Sequence, residues 1–535
     1  MRLTLPAPLF LLALAVGCAA PPAEAPAPAP LTGLAGTVLD AGGQPVAGAF
    51  VTARDSASAR QLSVRTGRDG TYHLPVDLSG PLVVRVHAIG VAEGAGVRVA
   101  SLPARLDLAV DRVADTFGQL PSSAYLGALP DGEAKRRFVL DCGGCHQFNR
   151  VRADAGPLVR SRTYWQGWTA QMVSFAGAHT GFPIMAPGRD PDATADWLVQ
   201  HLGGEGDPLP VLTPPPFDVP AERVLITEYD VPTRRDLPHD LMPDADGHIV
   251  VTGMMSGQMF RLDPATGTWA SERGERGFPG ARALDIAPDG AWWVLLGTPR
   301  QITRFDPASG EQALFDIGVY PHSIVRDATG RIWFNAHFSK APETLGVLDP
   351  ATGHVRTFEV PTPPQADGGS TIPYGLRIDA DGVLWGTQLL GNRLVRFDPE
   401  SERFRLYDLP TTQSGPRRPA IGPDGTIWIP EFAAGKLAAF DPATETFTEH
   451  PLPVPDALPY VVRVDPRSGV VWVATGAADA VLRFFPAEGR WTVHPLPTRG
   501  ALVRHMELDA DGGAWVAYGN SPAVDPKVAR IEVLD

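Results

Sequence analysis

The stretch "DADGHIVVTG", residues 244–253, decides the fold. An Asp-rich turn ending in Gly247 passes into a short run of β-branched residues, the signature of a tight hairpin feeding a strand. The same pattern returns as "APDGAWWVLL", "DATGRIWFNA", "DADGVLWGTQ", "GPDGTIWIPE", "DPRSGVVWVAT" and "DADGGAWVAY", whose turn glycines are Gly290, Gly330, Gly382, Gly425, Gly469 and Gly512. Self-similarity at a period of about 43 residues marks a repeat architecture. Most units continue into a second turn of the type "RLDPATG" or "RFDPASG" and then an amphipathic strand such as "HVRTFEVP". Each unit thus holds four strands joined by tight turns, which is a propeller blade. The last unit stops at a third strand, "VARIEVLD", and the strand it lacks stands before the first unit as "VLITEYDVP". Pairing the two closes a ring of seven blades over 222–535 and removes its open edge.

Upstream the texture changes twice. Residues 31–113 alternate short Val/Thr/Leu-rich strands with turns at Gly42-Gly43 and Asp69-Gly70, which predicts a β-sandwich. From 117 to 205 the segments "DGEAKRRFVLDCGGCH", "TYWQGWTAQMVSFAG" and "DATADWLVQHLGG" are helix-compatible. Trp165, Trp168, Met172 and Phe175 recur at spacings that share one helix face. "GDPLPVLTPPPFDVPA", 206–221, is a Pro-rich linker. The fold class is therefore mainly β and multidomain, with a small all-α domain between a β-sandwich and a seven-bladed propeller.

Residues 1–18 combine Arg2, an apolar run and small residues before Cys18, the pattern of an export signal too short to span a bilayer. Ala15-Val16-Gly17-Cys18 resembles a bacterial lipobox, in which the cysteine carries the lipid, and 19–30 is a Pro/Ala tether with nothing to pack. This reading places the chain in the periplasm, held to the outer membrane through Cys18. The 535 residues carry a net charge of −14 without any basic run, which argues against a nucleic-acid partner.

The chain has three cysteines. Two stand in Cys142-Gly143-Gly144-Cys145-His146, the arrangement covalent haem attachment needs: two thiols for two vinyl groups, and an adjacent imidazole for the iron. No second Cys/His pair follows at zinc-site spacing. The sixth iron ligand remains open among Met172 on the Trp-rich helix, Met185 in "FPIMAPG", and His179. The surrounding segments resemble small class I cytochrome c domains, and the resemblance implies haem c and outer-sphere electron transfer with a redox partner protein.

The strands of 31–113, with "GTVLDAGGQPVAGAFVTARD" and "TGRDGTYHLP", resemble the carboxypeptidase regulatory-like domain. The propeller repeat resembles the virginiamycin B lyase (streptogramin lyase) family, whose innermost strands line the mouth of a central channel. That resemblance implies a small-molecule site there, with Mg and a catalytic His. The positions entering the innermost strands are His239, Arg282, His322, Tyr374, Arg417, Tyr460 and Arg504, with His505 beside the last. His239, His322 and His505 are the candidate catalytic residues, and His337 and Glu431, ending second strands, are candidates for the same mouth. The lyase family places a metal-binding Glu shortly before its catalytic His and another about fourteen residues after it. Here those positions hold Tyr320 and Ala336 around His322, and Leu237 and Gly253 around His239, so the Mg ligands are not matched. The residues thus leave three functions: electron transfer coupled to a substrate at the mouth, a carbon–oxygen lyase on cyclic esters or peptides, or a ligand-binding propeller without turnover.

Overall fold

The computed structural model describes residues 33–55, 60–76, 81–102, 104–143, 161–180, 190–203, 212–217, 222–337, 343–363, 370–520 and 524–534, with 172–180 as backbone alone. Cys18, Cys145, His146, Met185 and the side chains of Met172 and His179 lie outside the described residues.

Six sheets run in chain order, four strands each, beginning with Pro238–Pro243, Ile249–Gly253, Gln258–Asp263 and Thr268–Glu272 (blade 1). The innermost strands of blades 2 to 6 are Ala281–Ile286, Pro321–Arg326, Pro373–Ile378, Ala420–Ile421 and Pro459–Val464. Blade 7 holds Val503–Leu508, Ala514–Asn520 and Val524–Leu534, and its outer strand is Arg223–Asp230 from before blade 1. The ring closes as the sequence predicts, with Val528 opposite Tyr229 and Ile531 opposite Ile226.

The repeat is explained by its aspartate. Asp327 Oδ1 accepts the backbone N–H groups of Thr329 and Arg331, at 2.9 and 3.0 Å, which folds the hairpin. Its Oδ2 accepts the indole N–H of Trp333 at 2.9 Å. Asp379 with Trp385 and Asp509 with Trp515 repeat the arrangement at 2.8 and 3.1 Å. Gly330 takes the left-handed conformation this turn needs, at φ 89°. One carboxylate therefore fixes both the turn and the tryptophan, and Trp333 packs against Phe358 and Phe397 in the core between blades 3 and 4.

The N-terminal strands form two sheets around Leu34, Val38, Val51, Leu62, Val84 and Leu108, a β-sandwich as expected. Its relation to the propeller is not legible in the sequence. Strand Arg60–Arg65 pairs antiparallel with Arg223–Asp230, so blade 7 and one sandwich sheet form a single eight-stranded sheet. Glu228, buried in this seam, accepts from Gln61, Thr498 and Tyr518.

Helices follow at Ser122–Leu126, Glu133–Phe138, Arg162–Thr180 and Pro191–Leu202, and Val139–Gly143 continues the second as a π-helical turn. Asp190 caps the last through the N–H of Asp192, with Pro191 at its first position. Among the described residues no helix is long and apolar enough to cross a membrane. The Pro-rich stretch does more than connect: Leu212 and Phe217 pack against the helical unit's cluster and against blades 5 and 6 respectively.

Candidate functional site

Six of the innermost strands, all but that of blade 5, carry a bulge at the entry residue. A bulge puts an extra residue opposite one partner, so strict in/out alternation fails there. Residues next to the entry positions then also reach the channel, and these are the ones sequence reasoning missed: Asp240 and Arg418. Blade 5 departs furthest. Pro416 and Pro419 bracket Arg417-Arg418, and its inner strand shrinks to Ala420–Ile421. The freed Arg418 backbone pairs with blade 6 instead, donating to Tyr460 O at 3.3 Å and accepting from Val462 N at 3.2 Å.

Arg418 reaches from blade 5 to blade 1. Its Nη1 and Nη2 donate to Asp240 Oδ2 and Oδ1 at 3.0 and 2.8 Å, with both residues buried. Burial works against Asp240's charge, but Arg418 and His505 outweigh it and hold the carboxyl well below its usual range. Next along the channel, Arg463 donates to Glu507, whose Oε1 lies 3.5 Å from His505 Nε2.

His239 donates from Nδ1 to Asp240 Oδ1 at 2.8 Å and lies 3.1 Å from Arg282 O. His322 donates from Nδ1 to Tyr374 O at 2.9 Å, and His337 from Nδ1 to Pro373 O at 2.8 Å. Carbonyl or carboxylate partners on Nδ1 fix the tautomer, so the lone pair sits on Nε2 in all three rings. The rings adjoin: His239–His322 at 5.7 Å and His322–His337 at 4.2 Å between centroids. Burial drives His239 down to about 4 and the other two well below their ordinary value, so all are neutral at pH 7. His505 differs. Its Nδ1 lone pair accepts Leu241 N–H at 3.3 Å, and its Nε2 faces Asp240 and Glu507. Arg463 Nη2 also lies 3.2 Å from its Nε2, so His505 is enclosed by charged neighbours on that side.

On the other side of the mouth, Arg417 lies among Tyr374, Phe432 and Tyr460, with its guanidinium carbon 4.8, 3.8 and 4.2 Å from the ring centroids. Its Nη1 donates to Tyr374 Oη at 2.7 Å, and Tyr374 and Tyr460 share a hydrogen bond. Burial raises the Tyr374 phenol; for Tyr460 the charges of Arg417, Arg504 and Arg418 outweigh burial and lower it. Arg282 stacks on Tyr320 at 4.9 Å, and Arg504 donates to Gly519 O at 2.9 Å. The structure thus brings His337 into the His cluster. Glu431 is placed apart, beside Glu449 and Ser414, where burial and the charge of Glu449 push it up to about 9.

Around His239 and His322 the described residues supply one nearby carboxylate, Asp240, and Arg418 already occupies both its oxygens. Pro321 and Pro238 face Ala336 and Gly253 across their strand pairs, where a second acidic ligand would stand. This donor set does not fit Mg. The one group of three acidic or imidazole ligand atoms among the described residues, Asp244, Asp246 and His248, belongs to the first hairpin of blade 1, outside the channel.

The helical unit sits on the rim of blades 4 to 6. Lys135, 5% exposed, donates to Asp456 at 2.7 Å and to Asp131 at 3.1 Å. Gln413 donates to Glu133, Arg136 to Thr412 O, and Ser123 N to Ala477 O. A Cβ on Gly415 would stand 2.5 Å from Leu140 Cδ2, so the glycine permits the closest approach. Cys142, 1% exposed, shares one hydrophobic cluster with Phe138, Trp165, Trp168, Ile372, Tyr374, Phe432 and Tyr460. That apolar, aromatic setting for a motif cysteine fits a porphyrin.

Residues 275–532 match the virginiamycin B lyase family and residues 33–111 the carboxypeptidase regulatory-like domain. Among solved structures, a streptogramin B lyase is 19% identical with a TM-score of 0.52, over 58% of this chain and 98% of that one. A catalytically inactive virginiamycin B lyase from Staphylococcus aureus with quinupristin is 18% identical at TM-score 0.51, over 58% of this chain and 100% of that one. Identities this low show the propeller fold alone. No curated protein matches the chain.

Proposed function

We propose that the chain is an exported c-type cytochrome whose propeller mouth binds a small reducing substrate. Its electrons leave through a haem held by residues 117–205, toward a redox partner protein. The observation that supports this reading is the seat of the helical unit: Leu140, two residues before Cys142, packs on Gly415, two residues before Arg417 at the channel mouth. Cys142 and Cys145 would hold the haem as thioethers, and His146 together with Met172 or Met185 would ligate its iron. When bound, haem c supplies a one-electron acceptor.

The propeller's own residues handle the proton. Oxidation of an O–H or N–H group releases a proton, and Nε2 of His239 and of His322 are neutral acceptors at pH 7. Asp240 holds the His239 ring through Nδ1 and favours the imidazolium that forms. Arg417 and Arg504 at the mouth favour an anionic or strongly polar substrate. Lipidation at Cys18 would keep the protein on the membrane facing the periplasm.

The test is expression with haem maturation, followed by a screen of metabolites for reduction of the oxidised haem. Turnover of cyclic depsipeptides with no electron acceptor, abolished by EDTA, would favour the lyase reading instead. That outcome runs against a donor set lacking the second carboxylate.

A further inference from the structure

Between blades 3 and 4, three buried oxygen atoms have no hydrogen-bond partner among the described residues: Glu343 Oε1, Gln388 Oε1 and Thr371 Oγ1. Their residues are 3%, 2% and 5% exposed. The Gln388 amide is fixed in orientation because Nε2 donates to Glu343 Oε2 and to Thr362 Oγ1, both at 2.7 Å. Its carbonyl oxygen is therefore the amide atom left without a partner among the described residues. A Cβ on Gly391 would meet Gln388 Oε1 at 2.7 Å and Thr371 Cβ at 2.9 Å, which places those two side chains side by side. Glu343 and Gln388 line a cavity of about 30 Å³ whose other walls include Leu345, Val360, Leu376 and Leu384.

We propose that Glu343, Gln388 and Thr371 hold a monovalent cation, Na⁺ or K⁺, that pins blade 3 to blade 4. The donors are all oxygen, the chemistry hard cations select. One carboxylate with neutral amide and hydroxyl oxygens balances a single positive charge. A proton on Glu343 satisfies one of the three atoms. A water satisfies the hydrogen bonds but leaves an ionised carboxylate uncompensated among apolar walls, which is costly. The cation whose charge reaches Glu343, Arg393, is itself paired with Asp408 at 2.7 Å. Burial pushes Glu343 up to about 7 even against hydrogen bonds from Gln388, Thr362 and the Thr371 N–H. A cation completes all three oxygens and the charge together.

The test uses the full-length mature protein at about pH 8, with unfolding followed by tryptophan fluorescence in about 0.2 M NaCl, KCl or choline chloride. NaCl or KCl is expected to raise the midpoint by ~1–2 °C over choline, the shift that ~1 kcal/mol gives a propeller of about 310 residues. Glu343→Gln should remove the difference between salts. Crystals soaked in Rb⁺ should give an anomalous peak beside Glu343 Oε1, a readout independent of how the variant folds. Identical midpoints in all three salts with no Rb⁺ peak would overturn the site in favour of water or a proton. Stabilisation by Ca²⁺ alone would overturn its assignment to a monovalent ion.

Discussion

Replacing Arg418 with methionine probes the ion pair that spans the channel. The substitution keeps much of the side-chain volume but leaves Asp240 buried at 3% exposure without its bidentate partner. Breaking a buried pair from one side costs about 3–5 kcal/mol, because the remaining charge is uncompensated. Asp240 still has His239 Nδ1 at 2.8 Å and His505 Nε2 at 3.4 Å. Arg418's charge depresses both imidazoles, so its removal lets them take up protons at higher pH. The native variant then binds more protons than the native wild type, and its deficit shrinks as pH falls. Urea unfolding followed by tryptophan fluorescence should show the full loss near pH 8 and a clearly smaller one near pH 5. A loss below about 1 kcal/mol at pH 8, or a gap that widens on acidification, would refute the network.

Wild-type stability should itself fall on acidification. The folded-state values of His239 and His505, about 4 and 3, lie below their ordinary 6.5, so their contribution is present above 6.5 and lost as pH falls through that window. Glu431 has the opposite sign: its value of about 9 lies above the ordinary 4.5, so it costs stability as pH rises. Glu431→Gln should therefore be more stable than wild type at pH 8 by more than ~1 kcal/mol and near neutral at pH 4.5, as measured by urea unfolding. Lys135→Met strands Asp456 and should loosen the helical unit, seen as faster hydrogen exchange over 122–143 with the propeller unchanged. Deleting residues 19–113 bares the outer strand of blade 7, and size-exclusion chromatography should then show self-association.

The repeat was legible because one aspartate both folds the hairpin and holds the tryptophan, so Asp, Gly and Trp recur together at fixed spacing, as in Asp379, Gly382 and Trp385. Ring closure was legible because a missing strand leaves a gap in that period. The channel was half legible. Entry residues such as His239 and His322 follow from the period, but Asp240 and Arg418 sit where a bulge or a broken strand defeats alternation. The one signal for Arg418 was the pair of prolines around Arg417-Arg418. The merger of sandwich and blade 7 left no trace, since "VLITEYDVP" alternates the same way with one neighbouring strand or two. The seat of the helical unit depends on scattered contacts such as Lys135 to Asp456, 321 residues apart, which no local pattern encodes.

The proposed chemistry sends electrons from a substrate at the mouth to a haem on the helical unit while His239 and His322 take the proton. Stopped-flow absorption of the haem-loaded full chain, mixed with a substrate found in the metabolite screen, tests it most directly. The haem should be reduced, about 10²–10⁴-fold more slowly when His239 and His322 are both changed to Asn, with the oxidised spectrum unaltered. No haem spectrum in the matured protein, or equal reduction rates in wild type and variant, would contradict it.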